Sequence, residues 1–403
     1  MTDHDARGSS PPWAELPADA LSEIAGHLHD AGDFVRFRAV CRPWREALPP
    51  PRAPSFLPWI VEAYDSSIDD LRVLLPWVVE SYASTGDPHV LLHSPFSTRK
   101  TRHLPPLAAL RGMKIQGSDT SSGRVLAVGC SDEGRTVALI NPLDGDGTSL
   151  PLLADSVPGR TRGKWWRSAS GLVSSNGVVV FHTDDDPFDD LAAILLRPGE
   201  PGWEEGDVTC PAGVETRYLY RDKRRAAALW SAAALPGVAC GVVTLPLRPH
   251  ASDRYVLDFR GELVIVDIVI PQKYELAGVP PRSVFFQIHT MQVEDDGWHR
   301  WVEREHGRGD TITDHLCFFL GRKSSFAIDA REFAGSAEVT LTGGCAYFFY
   351  WHPKCTESEQ IDGVYRYCFR SGTVTVVDEL PTIIIPMWFM PRPRISPLLP
   401  RVQ

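Results

Sequence analysis

The stretch Arg254-Tyr-Val-Leu-Asp-Phe-Arg-Gly-Glu-Leu-Val-Ile-Val-Asp-Ile268 decides the fold class. Residues 254–258 and 263–268 are short apolar runs rich in Val, Ile, Leu and Tyr, and a Gly-bearing segment separates them. Runs of that length bounded by turn residues read as strands. The same pattern recurs outward in both directions. Upstream it falls at 125–128, 136–140, 177–182 and 191–196; downstream it falls at 283–289, 316–320, 346–351, 363–369 and 373–377. Strands spaced roughly 8–14 residues apart, with no long helical pattern between them, predict an antiparallel all-β body. About 300 residues of such strands exceed one sandwich, and a β-propeller closes that many with few exposed edges. Neither a kelch double glycine nor a WD signature sets a repeat period, and the expectation is six or seven blades.

The first fifty residues differ in kind. Residues 1–12 form a polar tail ending in Pro11 and Pro12. Leu21, Ile24, Ala25 and Leu28 then fall at i, i+3, i+4 and i+7, one face of a helix that Pro17 can start. Asp33 is the expected N-cap of a second helix bearing Phe34, Phe37 and Cys41, and Pro43 opens a third bearing Trp44, Ala47 and Leu48. Pro49, Pro50, Pro51 and Pro54 end helical structure. Three small helices cannot bury a stable core alone, so the module needs a partner or a neighbouring domain over its apolar face. The organisation is therefore a tail to 12, a helical module at 13–52, a segment at 53–88, the β body at 89–391 and a tail at 392–403. Within the 53–88 segment, Leu57-Pro-Trp-Ile-Val-Glu-Ala-Tyr-Asp-Ser-Ser67 returns as Leu75-Pro-Trp-Val-Val-Glu-Ser-Tyr-Ala-Ser-Thr85, identical at seven of eleven positions. A duplicated strand explains it better than two docking segments.

The formal net charge of −10 argues against nucleic acid as the main partner, since phosphate neutralisation needs a basic face. No run of 18 apolar residues exists to span a membrane, and the N-terminus lacks signal-peptide character. Eight cysteines without a C-x-x-C pair read as reduced, mostly buried thiols. The expected location is the nucleus, the cytoplasm, or both.

The run Trp13-Ala-Glu-Leu-Pro-Ala-Asp-Ala-Leu-Ser-Glu-Ile-Ala-Gly-His-Leu28, with Asp33-Phe-Val-Arg-Phe-Arg-Ala-Val-Cys-Arg-Pro-Trp-Arg45, resembles an F-box: a Leu-Pro pair, an amphipathic helix, an acidic-started second helix and a closing Val-Cys-x-x-Trp. The resemblance implies docking on the Skp-type adaptor of a cullin-based ubiquitin ligase. It places Leu16 and Pro17 in the adaptor groove, with Leu21, Ile24, Leu28, Phe34, Val40 and Trp44 continuing the surface. Any one of these can equally belong to the module's core. His27 and His29 read as solvated. The remainder resembles plant F-box proteins with a KIB-type β-propeller, through Ile140-Asn-Pro-Leu-Asp-Gly145, Leu195-Leu-Arg-Pro-Gly-Glu-Pro-Gly-Trp203, Tyr255-Val-Leu-Asp-Phe-Arg-Gly261, Leu316-Cys-Phe-Phe-Leu-Gly-Arg-Lys-Ser-Ser-Phe326 and Pro386-Met-Trp-Phe389.

Other candidate chemistry reads as structure. Asp144-Gly-Asp-Gly147 lacks the glycine and helices of a calcium loop and reads as a hairpin turn. Cys345, His352, Cys355 and Cys368 fit no compact zinc spacing. The acidic run 184–190 and the basic run 221–225 read as loops, and most tryptophans as blade packing. No nucleophile elbow, zinc-protease, P-loop or dinucleotide motif occurs. Hence neither catalytic residues, a metal nor a cofactor is expected. The expected function is a ligase substrate receptor, with the propeller holding an unidentified target protein. Alternatives are a propeller that sequesters or inhibits a partner, or a propeller enzyme with a polar central pocket.

Overall fold

The computed structural model describes residues 13, 16–47, 56–64, 89–96, 101–104, 107–119, 122–131, 134–151, 170–174, 177–182, 192–196, 204–206, 251–259, 262–269, 284–293, 299–304, 314–321, 324–333, 341–350, 363–379 and 387–391.

Three helices come first. Pro17, at φ −56°, occupies the N-cap of α1 (Ala18–Gly26), where its missing N–H costs nothing and its carbonyl accepts the Leu21 N–H at 3.1 Å. Leu21 and Ala25, one turn apart, are the buried pair of this helix. The second helix, α2 (Ala31–Ala39), starts earlier than expected. Its N-cap is Asp30, whose carboxylate accepts the N–H groups of Gly32 and Asp33 at 2.9 and 3.0 Å. Asp33 instead lies in the first turn, where it favours the positive helix end and pairs with Arg36. The third, α3 (Arg42–Glu46), takes Pro43 in its first turn as expected.

The strands form five sheets among the described residues, where six or seven blades were expected; residues 207–250 lie outside the described set. The first holds β1 (Trp59–Tyr64), β2 (His89–His93) and β3 (Thr101–Leu104). Next come β4 (Met113–Asp119), β5 (Arg124–Ser131), β6 (Gly134–Ile140) and β7 (Gly147–Ser149), then β8 (Ser170–Ser174), β9 (Gly177–His182), β10 (Ala192–Leu196) and β11 (Glu204–Gly206). The fourth sheet is the one with which the reading began: β12 (Ala251–Phe259), β13 (Glu262–Val269), β14 (Phe285–Val293) and β15 (His299–Arg304). The fifth has β16 (Leu316–Leu320), β17 (Phe326–Asp329), β18 (Cys345–Tyr350), β19 (Gly363–Cys368) and β20 (Thr373–Glu379). The last strand, β21 (Met387–Phe389), returns to the first sheet and pairs with β1, Trp59 opposite Phe389.

Successive four- and five-stranded sheets, with the last strand of the chain returning to the first sheet, give the strand exchange that closes a propeller. Closure leaves the ring no free ends. The first copy of the duplicated segment supplies β1; the second lies outside the described residues. Among the described residues, one departure from an all-antiparallel body occurs, in the fifth sheet. There β16 and β18 run parallel, Cys317 opposite Cys345 through Leu320 opposite Phe348, because the β16–β17 hairpin and the turn at 330–333 carry the chain back to the start of the sheet.

Side chains lock the ring shut. The Trp388 indole N–H donates to the Leu320 carbonyl at 3.1 Å, and its ring lies 5.0 Å from Phe319 and 4.8 Å from Phe349. Ser118, on β4, donates to the Trp388 carbonyl at 3.2 Å and shares a 2.5 Å hydrogen bond with Ser324. Strand β21 therefore ties together the first, second and fifth sheets. His93 and Asp378, both buried, meet at 2.7 Å and add a polar bond between the first and fifth. The Asp144 segment is the turn joining β6 to β7: Asn141 accepts from Gly145 and Leu143, and Gly145 adopts φ 74°.

Candidate functional site

The helical module keeps one face and offers another. Leu21, Ala25, Ala31, Phe34 and Phe37 are buried in a single apolar cluster with Phe56, Leu92, Ile115, Val125 and Phe389 of the propeller. Phe34 meets Phe56 edge-on at 5.3 Å. The module's missing core is thus supplied by its neighbour in the same chain, the need that its small size created.

The corner between α1 and α2 is the anchor. The His29 carbonyl accepts the Leu57 N–H at 2.9 Å, and the His29 ring lies 5.1 Å from Phe333 beside the fifth sheet. His29 is therefore buried, contrary to the expectation of a solvated side chain; His27, two residues earlier, is exposed as expected.

The eight residues assigned to adaptor docking divide along this line. Leu21 and Phe34 are fully buried on the propeller side; Leu16, Leu28 and Trp44 are half-buried and pack against the same cluster. Pro17, Ile24 and Val40 face solvent. Two exposed neighbours were not in the assigned set, Trp13 and Val35. The helical period would have found Val35, because it sits one residue past Phe34 and so about 100° away from the buried face.

Only six large apolar side chains among the described residues are exposed, and four belong to this module: Trp13 at 65%, Ile24 at 41%, Val35 at 49% and Val40 at 58%. The other two, Phe285 and Val376, lie on propeller strands. The exposed apolar side chains are thus concentrated on the helical module. Hydrogen bonds hold it in shape: the Trp44 indole N–H donates to the Trp13 carbonyl at 3.1 Å, and Arg45 Nε donates to the Arg38 carbonyl at 3.2 Å. Arg42 pairs with Glu46 at 2.7 Å, and Arg38 lies over the Phe34 ring.

Little else reads as a site. No group of three or more His, Cys, Asp or Glu among the described residues could hold a metal ion. His352, Cys355, the runs 184–190 and 221–225, and Trp165, Trp166 and Trp298 lie outside the described residues. No helix among those described is long and apolar enough to cross a membrane.

A small helical module packed against a body of β-sheets is the arrangement of this chain. The chain belongs to the KIB1-4 beta-propeller family, whose model matches residues 92–366. Three curated Arabidopsis thaliana proteins are similar over short stretches. F-box protein At2g16300 is 47% identical over 38 residues, 9% of this chain and 12% of its own length. F-box protein At2g26160 is 37% identical over 43 residues, covering 11% and 13%. Putative F-box protein At1g65770 is 46% identical over 37 residues, covering 9% and 10%. The chain thus spans about an eighth of the length of the curated relatives it matches. Among solved structures, the catalytic domain of a Coprinopsis cinerea GH62 alpha-L-arabinofuranosidase aligns with TM-score 0.23 and 10% identity over 66% of this chain and 74% of that one. A thermostable family-43 glycoside hydrolase aligns with TM-score 0.22 and 13% identity, covering 72% and 95%.

Proposed function

We propose that this protein is the substrate-receptor subunit of a Skp–cullin–F-box ubiquitin ligase, working in the nucleus, the cytoplasm or both. Its helices dock on a Skp-type adaptor and, through it, on cullin; the propeller holds a target protein. The receptor catalyses nothing itself. It raises the effective concentration of the target's lysines near the ligase, a gain from tethering rather than from chemistry. The observation that carries this reading is the exposure of Trp13, Ile24, Val35 and Val40 on a module whose opposite face is already occupied by the propeller. Docking of apolar anchors in a partner's groove would cover that surface, with a few central residues supplying most of the affinity.

A second reading draws on the burial of Leu21 and Phe34 against the propeller. In it the helices are a fixed part of the propeller body, which sequesters or inhibits its partner without a ligase. Co-purification with a Skp-type adaptor separates the two. Under the receptor reading wild type retains adaptor and a Leu16→Ala/Pro17→Ala variant loses it; under the sequestration reading neither folded protein retains any.

A further inference from the structure

Three of the described cysteines line up across the fifth sheet. Cys317 on β16 stands opposite Cys345 on β18, which stands opposite Cys368 on β19. Directly opposed residues present their side chains on the same face, so the three thiols form a row. The two steps along that row differ in kind. Between β18 and β19, the Phe369 N–H donates to the Gly344 carbonyl at 2.9 Å, the bond that flanks the Cys345–Cys368 pair rather than joining it. Cys345 and Cys368 are thus a non-hydrogen-bonded antiparallel pair, whose Cα atoms approach to roughly 4.5 Å. That is inside the window a disulfide needs, roughly 4.4 to 6.8 Å.

The surroundings give the two thiols different roles. Cys368 begins the turn into β20, closed by the Gly372 N–H donating to the Cys368 carbonyl at 2.8 Å, with Gly372 at φ 65°. The turn brings Ser371 and Arg370 beside Cys368, which is partly open to solvent, and the Ser371 hydroxyl shares a 2.7 Å hydrogen bond with Thr373. Burial of the sulfur opposes ionisation, yet the neighbouring Ser371, Arg370 and Cys345 groups together outweigh it, and the thiol lies below its ordinary pKa. Cys345 is buried, its thiol donates to the Gly343 carbonyl at 3.9 Å, and burial pushes it up to about 11. Cys317 is buried too, and its thiol donates to the Thr342 carbonyl at 3.2 Å.

We propose that Cys345 and Cys368 form a redox-responsive dithiol, with Cys368 the site of attack by a hydroperoxide and Cys345 the thiol that closes a disulfide. In the first step the Cys368 thiolate attacks one peroxide oxygen. A sulfur–oxygen bond forms, the oxygen–oxygen bond breaks, and the departing hydroxide takes up a proton to leave as water. Cys345 then attacks the Cys368 sulfur. The sulfur–oxygen bond breaks, the Cys345 proton leaves with the hydroxyl as a second water, and the disulfide forms. The two sulfurs give up two electrons and the peroxide accepts them. The product staples β18 to β19, and a thiol reductant restores the dithiol.

The test uses the full chain, reduced and freed of reductant, titrated with hydrogen peroxide under native conditions. Peptide mapping of wild type is expected to find a Cys345–Cys368 cross-link, with two titratable thiols lost and dithiothreitol recovering both. In Cys345→Ser the reaction stops at the sulfenic acid, which dimedone traps on Cys368. In Cys368→Ser neither cross-link nor adduct forms. Wild-type mapping alone decides the matter should a variant fail to fold. A Cys317–Cys345 link, or a Cys368 that stays reduced while other cysteines oxidise, overturns the proposal.

Discussion

Leu21 and Ile24 lie three residues apart on α1, yet Leu21 is 1% exposed and Ile24 is 41% exposed. The boundary between what the module keeps for its own fold and what it offers to a partner runs between them. Substitutions on the two sides should therefore separate stability from binding. Leu21→Ala is expected to destabilise the protein by about 2–5 kcal/mol, the range for deleting a buried leucine. Ile24→Asp is expected to leave the urea midpoint nearly unchanged while weakening adaptor binding at least tenfold, about 1.4 kcal/mol. Urea unfolding and an adaptor-binding titration on the same two proteins check both halves.

The assignment of the α2 cap is tested by the two aspartates. Asp30→Ala removes the acceptor for the Gly32 and Asp33 N–H groups and should cost about 0.5–2 kcal/mol. Asp33→Ala removes the exposed pair with Arg36 and a charge at the positive helix end, and should change stability by under about 1 kcal/mol. If Asp33→Ala proves the more damaging of the two, α2 begins where the helical pattern alone had placed it.

Ring closure rests on Trp388. Trp388→Phe keeps most of the packing but leaves the Leu320 carbonyl without the indole donor, at an expected cost of about 1–3 kcal/mol. Trp388→Ala also opens a cavity between Phe319 and Phe349 and should cost about 3–5 kcal/mol. Chemical denaturation of the three proteins gives the order.

His93 and Asp378 hold the first sheet to the fifth from opposite ends of the chain. A double-mutant cycle with His93→Ala and Asp378→Ala is expected to show coupling of about 0.5–3 kcal/mol, as for contacting buried groups. Additive effects would mean that the 2.7 Å contact does not fasten the seam.

Much of this architecture is legible in the residues, for reasons that differ by element. Residues 177–182 and 316–320 are the strands β9 and β16 to the residue, because their apolar runs end sharply at turn residues. The first two helices follow from the spacing of Leu21, Ala25, Phe34 and Phe37, and the third from Pro43 and Trp44. The α2 start is ambiguous locally, because Asp30 and Asp33 both precede helical residues and only the hydrogen bonds to Gly32 and Asp33 choose between them. The rest depends on contacts far apart in the chain. Nothing near Met387-Trp-Phe389 says that it pairs with a strand more than 300 residues earlier, nor does the Cys345 segment announce a parallel neighbour. The burial of His29 is of the same kind, since Phe333 and Leu57 create it. The exposed apolar side chains were legible as residue types but not by position: Leu21 and Ile24 share a periodic stripe, and only the propeller's position tells which one faces out.

The most direct test of the receptor account is a titration of a purified Skp-type adaptor with the full-length protein and with an Ile24→Asp/Val40→Asp variant, both verified as folded by circular dichroism. The account predicts saturable binding by wild type and a loss of at least a hundredfold in the variant, about 2.7 kcal/mol. Equal binding by the two proteins, or no binding by a folded wild type, would contradict it and leave the propeller to act without a ligase.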